Sequence, residues 1–151
     1  MSANVDLYDS AYSNVDTDVL TEIRRVTFGE DLGQNSWTTV DEYDRFCGLL
    51  KITLNSNVLE TASGSGGPAL HIAQRFGCAV SGIDINQEGI NSANQKAASA
   101  RLNAKFQITD VEDTFPFDDA TFDAIICIDA ANHFPDRQHA LKEWSRVLKT
   151  G

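Results

Sequence analysis

The sequence predicts an α/β protein with a parallel, doubly wound sheet, and three observations carry that prediction. From about residue 57, short apolar runs alternate with helical patterns, which is how strands joined through helices read. Right-handed crossovers then restrict the topology to the doubly wound type. Finally, Ala62-Ser63-Gly64-Ser65-Gly66-Gly67 joins the first apolar run to the first helix of this region. Glycines there let the backbone turn sharply and let a ligand approach the main chain.

The elements follow in order. Asn57-Val58-Leu59-Glu60 reads as the first strand and residues 68–76 as a helix. Pro68 suits the first helical position, and Gly77 suits the end. Residues 79–84, Ala-Val-Ser-Gly-Ile-Asp, form a second strand apolar enough to be buried on both faces. Asn86 caps a helix with Ile90, Ala93 and Ala97 on one face. Residues 105–108 are a third strand and 122–128 a fourth. A last helix, about 136–148, carries Ala140, Leu141, Trp144, Val147 and Leu148 at helical spacing. Before all of these, residues 1–55 hold two short helical patterns, near 17–26 and 40–50. We assign 1–55 to an N-terminal cap or lid segment and 56–151 to the sheet domain.

Composition narrows the function. The 151 residues suffice for one core. Asp and Glu outnumber Lys and Arg by 22 to 12, for a net charge of −10. Such a surface repels nucleic-acid phosphates and anionic lipids, so neither partner is expected. Cys47, Cys78 and Cys127 lie far apart among apolar neighbours, and the three histidines complete no zinc-ligand spacing. No metal is expected. The first residues have neither a basic region nor an apolar core, and no apolar run nears the ~20 residues a bilayer demands. The expected setting is cytoplasmic.

The chemistry gathers around the glycine loop. Asp84 ends the second strand at 20 residues from Gly64, close to the offset at which a carboxylate reaches a ribose diol. A nucleoside-containing ligand follows. Gly64-x-Gly66-x-x-Ala69 also fits a dinucleotide loop, so a fragment of an NAD-dependent oxidoreductase is the rival reading. Glu60 argues against it, because a carboxylate before the glycines welcomes a cationic group and repels a pyrophosphate. Asp110, in Thr109-Asp110-Val111 after the third strand, places a further acceptor where an adenine amino group could donate.

These stretches together resemble the class I S-adenosylmethionine-dependent methyltransferases. The resemblance rests on residues 58–67, on Gly82-Ile83-Asp84-Ile85-Asn86, on Thr109-Asp110-Val111, on residues 115–123 and on the ending 143–151. It implies a Rossmann-like fold that binds S-adenosyl-L-methionine. Glu60, Ala62, Gly64 and Gly66 would then face the methionine part, Asp84 and Ile85 the ribose, Asp110 and Val111 the adenine, with Ile128 closing the site. Ala62 departs from the family, which usually has glycine there. Gln34-Asn35-Ser36-Trp37 and residues 129–134 look most like the small-molecule members, which methylate amines, glycine derivatives, phosphoethanolamine, sterols or quinones.

In that reading His133, with Asp129, is the candidate base near the transferred methyl. Tyr8, Tyr12 and Trp37, with Gln34, would form the lid and substrate side, where aromatic faces attract a sulfonium. The family's sheet has seven strands and the sequence accounts for four, so the expectation is an incomplete sheet. It follows that the chain is either a truncated product that could bind without turnover, or one whose exposed fourth-strand edge pairs in a homodimer.

Overall fold

The computed structural model describes Tyr12 and residues 14–150. Among the described residues, helices α1 (Asp18–Phe28) and α2 (Val40–Leu49) precede the sheet. Then come β1 (Asn57–Thr61), α3 (Gly67–Phe76), β2 (Ala79–Asp84), α4 (Gln87–Ala100), β3 (Ala104–Ile108), β4 (Ala124–Ile126) and α5 (Arg137–Val147). The four strands are parallel in the order β3-β2-β1-β4. The doubly wound α/β expectation holds.

Alternation along the strands sorts the two faces. Val58, Val80, Phe106, Ala124 and Ile126 pack with Cys47 of α2, with Ala69, Ile72 and Ala73 of α3, and with Ile90, Ala93 and Ala97 of α4. Leu59 and Ile83 point the other way, onto Phe115, Phe122 and Val147. Gly82 lies under the ring of Phe106, and any side chain at 82 would overlap that ring. The caps are those expected of these sequences: Asn86 Oδ1 accepts the Gly89 N–H at 2.7 Å, and Thr39 with Glu42 forms a capping box on α2.

Two expectations are corrected. The fourth strand, read as 122–128, forms a ladder only over Ala124–Ile126. Phe122 bridges instead to Leu148, and Asp129 turns into the left-handed region at φ 52°, so the run is cut at both ends. In α5, Ala140 and Val147 are buried, but Leu141 faces solvent and Leu148 leaves the helix as extended backbone. The bridge to Phe122 takes Leu148 out of the helical register. Among the described residues, no helix is long and apolar enough to cross a membrane.

Candidate functional site

Parallel strands leave their carboxyl ends free for ligands where neighbouring crossovers diverge. Here that place holds a cavity of about 380 Å³, within the size range of small-molecule sites. Its floor is made by Glu60 and Asp84, at or next to the ends of β1 and β2. Glu60 is 4% exposed, and its Oε2 accepts the Ala69 N–H at 3.1 Å. Burial pushes its carboxyl up to about 8, and the nearby charge of Asp84 adds to the shift while the Ala69 amide opposes it. Burial also raises Asp84, against backbone donors. Those donors are the Asn86 N–H on Oδ1 and the Gly64 N–H on Oδ2, each at 2.8 Å. Each oxygen keeps lone-pair capacity for a ligand hydroxyl.

The glycine loop is shaped by its neighbours as much as by a ligand. Gly64, at φ 52°, leaves room for the Tyr12 hydroxyl, which would overlap any side chain there. Gly66 also has a packing role: the place of its missing Cβ faces Ala93 and the Phe106 ring, at 2.8 and 2.9 Å. Close packing of helix on strand therefore demands that glycine. Ala62 lines the cavity in a left-handed conformation at φ 58°, where glycine would carry no strain.

Of the other expected residues, Tyr12, Gln34, Ile85, Asp110, Val111, Ile128, Asp129 and His133 all line the same cavity. Asp110 also holds its own turn, accepting the Glu112 N–H at 3.0 Å. His133 ends a short 3-10 turn, Ala131–His133, with Nε2 3.2 Å from the Asn132 side-chain amide. Trp37 is not among the residues lining the cavity. Its side chain is 82% exposed and meets Phe28 edge-on at 6.5 Å, while its backbone N–H donates to Asp129 Oδ2 at 2.9 Å. Tyr8 lies outside the described residues. Gln34 is buried with its Nε2 unpartnered, and its Oε1 accepts the Leu32 N–H at 2.9 Å.

Sequence reasoning missed one wall. Tyr43, on α2, is 1% exposed and joins Ser36 Oγ at 2.6 Å. Burial pushes its phenol up to about 12, with the charges of Glu60 and Asp129 adding and the Ser36 bond opposing. It therefore stays protonated and able to donate at neutral pH. Nothing in an amphipathic helical pattern separates such a tyrosine from an ordinary packing residue. Asn86, assigned only as a cap, also lines the cavity, as do Thr109 and Phe134. His71 and His139 serve structure, bonding Asp44 at 2.8 Å and the Asp113 carbonyl at 3.0 Å. Among the described residues, no three His, Cys, Asp or Glu side chains converge as metal ligands.

A family model described as a methyltransferase domain matches residues 58–151, more than half of the sequence. The chain belongs to this methyltransferase-domain family. The domain is 28% identical over 145 residues to the 27-O-demethylrifamycin SV methyltransferase of Amycolatopsis mediterranei, covering 89% of this chain and 53% of that protein. It is 42% identical over 103 residues to a ubiquinone/menaquinone biosynthesis C-methyltransferase of Rickettsia prowazekii, covering 64% of this chain and 41% of that protein. The chain thus spans about half the length of these curated relatives, or somewhat less. A SAM-dependent methyltransferase from Aquifex aeolicus superposes with a TM-score of 0.71 at 20% identity, over 93% of this chain and 67% of that one. At that identity the likeness shows the Rossmann-like fold alone.

Proposed function

We propose that this methyltransferase domain binds S-adenosyl-L-methionine in the cavity at the ends of β1 and β2 and serves methyl transfer to a small-molecule acceptor. One observation carries the reading: a carboxylate with a single backbone donor, Glu60, lies beside a second carboxylate, Asp84, under a loop of left-handed residues. A cationic amino-acid group suits Glu60, a ribose diol suits Asp84 and Ile85, and an adenine suits Asp110 and Val111. The pair does not suit a pyrophosphate, which needs N–H or cationic donors and would face two acidic side chains instead. Residues 1–55 act in this reading as the cap over the site.

The cofactor, when bound, supplies an electrophilic sulfonium methyl. The chain's own work is alignment and exclusion of water. Tyr12 and Gly33 lie against the glycine loop, and Ile128 and Phe134 add apolar surface to the lining. His133 is the group suited to take up a proton from an acceptor O–H or N–H. Among the described lining residues, five are carboxylates (Glu60, Asp84, Asp110, Glu112 and Asp129) and none is Lys or Arg. That charge disfavours acceptors bearing phosphate or carboxylate and favours neutral phenol, quinol or sterol types, or amines. Relatives named for a demethylrifamycin and for quinone biosynthesis stand with the neutral class, and one named for sarcosine and dimethylglycine stands with the glycine derivatives.

Calorimetric titration with S-adenosylmethionine, S-adenosylhomocysteine and NADH tests the reading. Binding of the first two is expected; NADH binding in their place would overturn it. A methyl-release assay over phenols, quinols, sterols and amines, with sarcosine and phosphoethanolamine as acidic controls, then separates a catalytic domain from one that only binds.

A further inference from the structure

One wall of the cavity reaches it from outside the sheet. Residues 31–37 form a strap between α1 and α2, and its two ends are held in different ways. At the first end, Arg24 pairs with Asp31, and Asp31 Oδ1 accepts the Gly33 N–H at 2.8 Å. Ser65 Oγ donates to the Gly33 carbonyl at 3.2 Å, and the Leu32 carbonyl fills the space that a Gly67 side chain would need. The far end is held by Ser36 on Tyr43 and by one bond to the opposite wall, from the Trp37 N–H to Asp129 Oδ2 at 2.9 Å.

That bond spans 92 residues of sequence and lies exposed at the rim. Gln34, Asn35 and Ser36 line the cavity on its strap side, and Asp129, Ala130 and His133 line it on the other. Burial of Trp37 does not explain it, since that side chain is 82% exposed. Asp129 also holds φ at 52°, the left-handed state that Asp and Asn adopt more readily than most residues with a side chain. An exposed bond of this kind adds little to global stability, yet it can govern local opening.

We propose that Asp129 is a positioning residue that latches the strap to the loop after β4, and that release of Trp37 from it lets a bound nucleoside leave. The ligand half of this inference rests on the reading that the cavity takes S-adenosylmethionine and its demethylated product.

The test uses the full chain with S-adenosylhomocysteine as the probe. Off-rates come from stopped-flow tryptophan fluorescence, with Trp37 beside the latch as the reporter. Amide hydrogen exchange at Trp37 is measured in the ligand-free chain. Asp129→Gly relaxes the left-handed backbone while deleting the carboxylate. It is expected to raise both the off-rate and the Trp37 exchange about tenfold, the scale of one lost charge-assisted hydrogen bond, without lowering the melting temperature. Asp129→Asn keeps an acceptor oxygen and tolerates the left-handed region, so it should stay within about threefold of the parent, as a weaker acceptor would.

An unchanged off-rate and unchanged Trp37 exchange in Asp129→Gly overturn the latch. Asp129→Asn releasing ligand as fast as Asp129→Gly overturns it too, because charge rather than the bond would then be responsible. A parent chain that binds no S-adenosylhomocysteine sinks the functional reading instead, and Trp37 exchange still decides whether the latch exists.

Discussion

Replacing Glu60 by Gln should abolish a proton release that accompanies cofactor binding. The Glu60 carboxyl sits at about 8, raised by burial, with Asp84 as a contributing negative neighbour. At pH 7 the unliganded chain therefore holds a proton on Glu60 in about nine molecules of ten. A ligand ammonium seated against it favours the carboxylate, so binding at pH 7 should release about 0.9 proton. Below pH 8 the affinity should rise by up to tenfold per pH unit, and above it the acid limb should flatten. Titration calorimetry with S-adenosylmethionine in buffers of different ionisation heat reads the proton count directly. Glu60→Gln should release close to none and lose the acid limb. A parent chain that releases no proton, or a variant that releases as many, would refute the pairing of Glu60 with a cationic group.

The same residue leaves a mark on folding. Between its ordinary value of 4.5 and about 8, the folded chain holds a proton that the unfolded chain lacks. Stability therefore falls as pH rises through that window. The shift corresponds to at most about 5 kcal/mol, and water in the cavity reduces it. Glu60→Gln should remove the slope, so that urea midpoints of variant and parent drift apart as pH rises from about 4.5 to 8 and hold a constant offset above it.

Four further outcomes are expected. Asp84→Ala should weaken S-adenosylhomocysteine binding by about tenfold or more, from lost hydrogen bonds to a charged acceptor; unchanged affinity by calorimetry would remove the ribose assignment. Ala62→Gly should stabilise the chain by up to about 1 kcal/mol in urea unfolding, since it relieves a left-handed alanine, and a loss of stability would contradict that strain. Gly82→Ala should cost about 1–3 kcal/mol by thermal melting, because its methyl overlaps Phe106; a melting temperature equal to the parent's would show that the ring can move aside. Arg146→Ala should cost about 2–3 kcal/mol, because this guanidinium donates to Glu143, Asp119 and the carbonyls of Phe115 and Phe117. An unchanged urea midpoint would mean that the 115–119 loop is held by its aromatic packing alone.

The first three strands were legible because each is a short apolar run bounded by turn residues, and buried parallel strands need little else. The carboxylates at their ends were legible for a related reason: spacing along the chain fixes which residue reaches a strand's end. Contacts between distant segments left no such trace. The composition of residues 122–128 does not reveal that Phe122 pairs with Leu148, nor that Asp129 must turn left-handed to meet a backbone amide 92 residues away. The packing role of Gly66 was illegible for the opposite reason, since glycine in a loop reads as room for a ligand whether or not Phe106 needs the space. The bond from the Trp37 main chain to Asp129 was illegible too, because the sequence draws attention to that residue's aromatic side chain.

The seating of Leu32 against Gly67 bears on how such a pocket can diversify. A main-chain oxygen and a missing methyl make that joint, and Gln34 braces it by accepting the Leu32 N–H, so its geometry is independent of the side chain at 35. That position can exchange residue types while the wall it stands on keeps its place. Relatives could thus inherit one scaffold and reshape its chemical lining by point changes, with residue 67 as the position that must stay bare.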